Sequence, residues 1–152
     1  MKKITVAIAS ILLTGLSSAA TVNFTPATLS VARGAASSDI TVQVAGDFST
    51  VYVEAFANIN LDAFSIYQIQ SVGGNSCLLN GGKLWVMASV NASYLTPFPA
   101  NRYTAVCKLK VRPRSTAGVG GYSLYLSNVF GFNASAQNTI VAAASATVTV
   151  TP

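Results

Sequence analysis

The stretch Arg102-Tyr103-Thr104-Ala105-Val106-Cys107-Lys108-Leu109-Lys110-Val111-Arg112 alternates residue by residue. Ala105, Cys107, Leu109 and Val111 fall on one side, and Val106, Lys108, Lys110 and Arg112 on the other. Successive side chains of an extended chain point to opposite faces, so the spacing predicts a strand with one buried face and one basic face. Pro113, which has no N–H to give to a ladder, ends it.

The same period of two runs outward from this stretch. Val51, Val53, Ala55, Ala57 and Ile59 share one face of the longest alternating run, and Tyr52, Glu54, Phe56 and Asn58 share the other. Toward the N-terminus, Val22 and Phe24 alternate with threonine and asparagine up to Pro26, Leu29 and Val31 resume the pattern, and Ile40, Val42 and Val44 follow a Gly-Ala-Ala-Ser-Ser turn. Residues 66–72 and 83–90, the latter carrying the single tryptophan Trp85, read as strands. Asn80-Gly81 between them is a hairpin signal, and residues 77–82 read as a tight connection. Residues 91–101, with Pro97 and Pro99, and residues 115–121 and 131–138 read as loops, flanking strands at 122–126 and 140–150. About nine strands with short turns and no helical period predict an all-β chain: an antiparallel two-sheet sandwich, jelly-roll or immunoglobulin-like.

Residues 1–20 read as a secretory leader: Lys2 and Lys3, then an apolar run from Ile4 to Leu16, then Ser18-Ala19-Ala20 for cleavage after Ala19 or Ala20. The apolar run is shorter than the roughly 20 residues that span a bilayer. No cysteine follows the cleavage point to take a lipid, and no later segment is long and apolar enough to cross. The expected product is residues 21–152, a single domain exported to the periplasm, cell surface or medium of a bacterium. Without Lys2 and Lys3, seven cations face four carboxylates, a balance of +3. Only 9% of residues are charged, against about a quarter in ordinary globular chains. A surface made of threonine, serine, asparagine and glutamine suits a secreted β-protein or a packed subunit. It lacks the dense basic patch of a nucleic-acid binder.

Cys77 and Cys107 are the whole cysteine inventory, and in an oxidising compartment an even pair reads as a disulfide. The chain has no histidine, which removes the usual zinc sites and the Ser-His-Asp and Cys-His machineries. Its acids are Asp39, Asp47, Glu54 and Asp62, with no spacing that sets two carboxyls on one cleft, and no phosphate-binding loop is present. These features argue for a protein that is not an enzyme and needs no cofactor. Three sets of side chains remain as candidates for contact. Asn58, Asn60 and Asp62 stand at i, i+2 and i+4 and would share one face of an extended strand, a weak calcium arrangement with a single carboxylate. Lys108, Lys110 and Arg112, with Arg114 beyond, form a basic ladder toward an acidic polymer or surface, or a solvated outer face that blocks edge pairing. Trp85, Tyr94, Phe98 and Tyr103 gather around the proline-rich loop, where exposed rings stack on sugars or fill a partner's pocket.

The order of these elements resembles the cohesin-like family of secreted bacterial β-sandwiches. The resemblance rests on the Val31-Ala32-Arg33-Gly34 turn before the 40–44 strand and on the run Phe56-Ala57-Asn58-Ile59-Asn60-Leu61-Asp62. It continues through the hairpin Asn80-Gly81-Gly82-Lys83-Leu84-Trp85-Val86, the 106–111 strand, and the closing segment ending Thr147-Val148-Thr149-Val150. It covers nearly all of the expected mature chain and implies a nine-stranded jelly roll that serves in protein–protein attachment. Two readings follow. The first is a non-catalytic interaction or structural subunit of the bacterial envelope or extracellular matrix, of surface-layer accessory or adhesion type, with a protein partner. The second is a carbohydrate-binding module that stacks Trp85, Tyr94 and Tyr103 on a polysaccharide.

Overall fold

Alternating apolar residues give each strand one face to bury, and two such sheets bury theirs against each other. The computed structural model describes residues 19–80, 82–91 and 93–152; residues 1–18, which carry nearly all of the expected leader, lie outside it. Its strands are β1 (Ala20–Thr25), β2 (Thr28–Ala32), β3 (Ser38–Ala45), β4 (Thr50–Asn58), β5 (Phe64–Ser71) and β6 (Ser76–Asn80), followed by β7 (Lys83–Ser89), β8 (Thr104–Pro113), β9 (Gly120–Asn133), β10 (Asn138–Thr139), β11 (Val141–Ala143) and β12 (Ala146–Thr151). One sheet runs β11-β1-β3-β8-β5 and the other β2-β12-β9-β4-β7-β6, with the short β10 on β9. The Thr25–Pro26 peptide between β1 and β2 is cis.

The two-sheet sandwich expected from the sequence is the observed architecture, with two differences. There are twelve described strands rather than about nine: β6 and β10 lie in stretches read as connections, and the closing segment divides into β11 and β12, one in each sheet. And the sheets are mixed rather than purely antiparallel: β1 pairs β11 in parallel, and β2 pairs β12 in parallel, while the remaining strand pairs are antiparallel. The closing strand thus runs beside the opening one in both sheets, which no hairpin connection can achieve. Residues 77–80, read as part of a tight connection, belong to the edge strand β6 on β7.

The core lies between Val22, Ile40, Val42, Leu109 and Val111 from one sheet and Val53, Leu84, Val86, Leu124 and Val148 from the other, all but sealed from solvent. β4 follows its predicted alternation without exception from Val51 to Ile59. β8 does not. The register between β3 and β8 slips between Val42 and Gln43, leaving Val106 as an extra residue. Val106 is therefore buried, not on the basic face, while Ala105 is only half-buried.

The loop at 91–101 is fastened by its own residues. Phe98 N–H donates to the Thr50 carbonyl at 2.9 Å, Gly46 N–H donates to the Pro99 carbonyl at 3.0 Å, and the Phe98 ring is 1% exposed. Gly46 sits so close to the Phe98 carbonyl that no Cβ fits there. Gly131 is also crowded, with the Tyr52 carbonyl and the Val141 side chain each 2.8 Å from where its Cβ would be.

Candidate interaction faces

The sandwich has two broad outer faces of opposite character. On the β9-β4-β7-β6 face, cross-strand pairing lines up Ser127, Phe56, Trp85 and Leu78 in one row. The next rows hold Phe130, Glu54 and Met87, then Phe132, Tyr52 and Ser89. The rings order one another. Phe56 and Trp85 stack at 6.0 Å with planes 12° apart, and Tyr52 stacks on Phe132 at 4.6 Å and 20°. Tyr94 meets the Tyr52 ring edge-on at 5.7 Å, and Phe130 is 6.3 Å away. Leu78 (53%), Tyr125 (52%), Tyr94 (46%) and Phe130 (44%) stay open to solvent around this stack. Scattered exposed apolar side chains are ordinary; a contiguous ring-lined sheet face is not. The one carboxylate on these rows, Glu54, accepts a hydrogen bond from the Tyr52 hydroxyl at 2.7 Å. Burial, then that bond and the adjacent charge, push the Tyr52 phenol well above its ordinary pKa, so it stays a neutral donor. Trp85 Nε1 is covered and has no acceptor among the described residues.

The β3-β8-β5 face is polar. Its rows are Thr41, Lys108 and Gln70, then Asp39, Lys110 and Gln68, then Arg112 beside Ser65. Lys110 Nζ lies 3.9 Å from the Asp39 carboxylate, an exposed pair of little energetic weight. Arg112 Nη2 donates to the Gly34 carbonyl at 3.2 Å, and Arg114 Nε donates to the Leu61 carbonyl at 2.9 Å.

The residues nominated from sequence are thus dispersed. Trp85 and Tyr94 belong to the aromatic face, Tyr103 is exposed beside the start of β8 in the opposite sheet, and Phe98 is a core residue. Trp85, Tyr94 and Tyr103 do not form one platform, because Tyr103 stands just before β8, which is in the other sheet. Lys108, Lys110 and Arg112 do form a ladder on one exposed face. Asn58, Asn60 and Asp62, the weak calcium candidate, lie at the end of β4 and in the turn after it. The Asn58 amide nitrogen donates to the Phe56 and Tyr125 carbonyls and to Ser127 Oγ, while Asn60 Oδ1 accepts from the Asp62 and Ala63 N–H groups to close the turn after β4. No group of three His, Cys, Asp or Glu side chains among the described residues is placed to hold a metal.

Cys77 and Cys107 are buried neighbours across the two sheets and stand as free thiols; the expected disulfide is not formed in this structure. The Cys77 thiol donates to the Val106 carbonyl at 3.4 Å, and its N–H is held by Ser71 Oγ at 3.1 Å. The hydrogen bond between the two sulfurs, offset by burial and supported by Ser71, lowers the pKa of Cys77. The same bond, with burial and repulsion from a Cys77 thiolate, raises that of Cys107.

Sequence reasoning missed Tyr52, Phe56, Leu78, Phe130 and Phe132. The signal was present in the longest run, where Tyr52 and Phe56 stand at i and i+4 on the face opposite the valines.

No family model and no curated protein matches the sequence. Solved structures match in shape. A chain of the complex between CaDoc0917 and CaCohA2, the latter from Clostridium acetobutylicum, superposes with a TM-score of 0.72 at 12% identity, over 87% of this chain and 99% of that one. The OlpA cohesin–Doc918 complex of Clostridium thermocellum gives 0.71 at 6% identity, over 88% and 100%. A non-cellulosomal cohesin from the archaeon Archaeoglobus fulgidus gives 0.67 at 11% identity, over 89% and 93%. The chain is an all-β sandwich that offers broad faces of side chains. More narrowly, its fold is that of the cohesin domains.

Proposed function

We propose that this chain is an exported, non-catalytic protein–protein interaction module of the bacterial envelope or extracellular matrix, which docks its partner on the β9-β4-β7-β6 face. The observation that carries the reading is the stacked aromatic face, with Leu78, Tyr94 and Phe130 open around Phe56 and Trp85. Rigid rings lose little rotamer entropy on contact and bury large apolar area, so they dominate interface energies. Likeness to structures described as cohesin–dockerin complexes supports a protein partner, and a dockerin-type module is the first to try. A buried Ala20 at the start of β1, paired with Val141, supports removal of a leader after Ala19, which leaves that residue in place.

The test is to express the full chain in its own host, wild type and with Phe130→Glu or Leu78→Glu, and to compare what co-purifies. Thr149→Glu, an exposed position at the far end of the same sheet, is the control. The reading requires a partner retained by wild type and by Thr149→Glu and lost from both aromatic-face variants. Equal retention by all four chains would overturn it.

A further inference from the structure

The second face carries chemistry that the docking reading leaves unused. Of the seven cations after residue 20, four — Lys108, Lys110, Arg112 and Arg114 — follow the outer face of β8, with Asp39 beside Lys110 and Asp62 next to the Leu61 carbonyl that holds Arg114. Lys83 lies on the other sheet, paired with Asn58 beyond the aromatic rows. Positive charge thus gathers on the face opposite the stacked ring rows. Residues 108, 110 and 112 repeat at about 6.6 Å along β8, so the ladder with Arg114 extends for about 20 Å. Uncharged hydrogen-bonding groups flank it in register: Thr41 and Gln70 beside Lys108, Gln68 beside Lys110, Ser65 beside Arg112. Arg112 and Arg114 are anchored by one bond each to backbone carbonyls, which fixes the guanidinium groups and leaves their other N–H donors to solvent. Two shallow grooves follow this line, one of about 330 Å³ at Lys108, Lys110, Gln68 and Gln70, and one of about 400 Å³ at Arg112, Arg114 and the exposed ring of Tyr67.

We propose that this face binds a linear anionic polysaccharide, its acid groups on the lysine and arginine ladder and its hydroxyls on Gln68, Gln70 and Thr41. Several observations favour a sugar polymer over the other polyanions. The interleaved amides and hydroxyls suit a chain with hydroxyls between its charges. A net balance of +3 is low for nucleic acid, where phosphate neutralisation by many cations supplies the affinity. A membrane surface calls for several apolar anchors beside the cations, whereas Tyr67 is the one ring that lines the two grooves along the ladder. Occupied together, the two faces would let one domain hold a protein partner and a matrix polymer at once.

The test uses the mature full-length protein and four probes in affinity electrophoresis or calorimetry at 50 and 200 mM salt: polygalacturonate, neutral pullulan, a single-stranded oligonucleotide, and vesicles containing phosphatidylglycerol. Binding to polygalacturonate, weakening with salt and absent for pullulan, is expected. Lys108→Gln with Lys110→Gln should lower affinity by about tenfold. Gln68→Ala with Gln70→Ala, which leaves charge unchanged, should lower it several-fold. Phe130→Glu should leave it intact, so that failure here and failure of the docking face are separately visible. No binding to polygalacturonate overturns the proposal. So does equal or tighter binding to the oligonucleotide or the vesicles, or glutamine variants that bind as wild type, since bulk charge alone would then explain the retention.

Discussion

Phe56 and Trp85 lie face to face on neighbouring strands, their ring centres 6.0 Å apart and their planes 12° from parallel. The pair is the centre of the aromatic rows, and it contains a built-in cost, because Trp85 Nε1 is covered without an acceptor among the described residues. An unpaired buried donor costs about 1–3 kcal/mol. Trp85→Phe keeps a stacked ring and deletes that donor, so its stability in urea should equal or exceed wild type. Trp85→Ala deletes the ring and should lose about 2 kcal/mol. A Trp85→Phe protein as unstable as Trp85→Ala would show that the indole nitrogen contributes to the fold.

Gly46 and Phe98 make a second prediction, about how the long loop is held. A methyl group at position 46 meets the Phe98 carbonyl and its Cβ, and the obstacle is backbone as well as side chain. Gly46→Ala should therefore destabilise by about 2–3 kcal/mol and loosen the loop, read as faster amide exchange of Gly46 and Phe98. Gly34→Ala is strained for a different reason, its φ of 70°, with open space around it, and should cost less. Equal costs for the two variants would contradict the crowding argument.

Asp47 gives a dependence on pH. Burial raises its carboxyl, but hydrogen bonds from Thr50 and Ser49 outweigh that and leave the folded pKa below its ordinary value. A group held lower in the folded state stabilises above the unfolded pKa, and that contribution is lost as pH falls through the folded value. The stability difference between wild type and Asp47→Ala should be about 1 kcal/mol near neutrality and should shrink below pH 4. A difference that grows on acidification would have the wrong sign.

Cys77 and Cys107 face each other across the sandwich, so a bridge between them would fasten edge strand β6 to the opposite sheet through β8. We predict that protein recovered from its own host without reductant carries this bond, with no thiol reacting in denaturant until a reductant is added. Reduction should then lower stability by about 3–4 kcal/mol. Two thiols reacting at once in denatured, unreduced protein would assign the pair to core packing.

The sandwich was legible because alternation survives wherever a strand buries one face: Val51 to Ile59 needed no correction. Alternation fails at a bulge, and that is why Val106, assigned to the basic side, is a core residue. The parallel pairs β1–β11 and β2–β12 left no trace in local spacing, since they join the two ends of the chain. The candidate site was half legible. The lysine ladder is local, so period two found it. The aromatic face draws Tyr52 and Phe56 from β4, Trp85 from β7, Leu78 from β6 and Phe130 from β9, and only the strand order brings them together. Phe98 shows the converse: an aromatic in a proline-rich loop reads as exposed until the loop's hydrogen bonds to Thr50 and Gly46 seat it in the core.

The measurement that bears most directly on the central claim is the native mass of the protein, extracted gently from the cells and medium of its own host, as wild type and as Phe130→Glu. The account predicts a wild-type complex well above the mass of one domain, and a Phe130→Glu chain that runs alone. Wild type at the mass of a single domain in both fractions would contradict it.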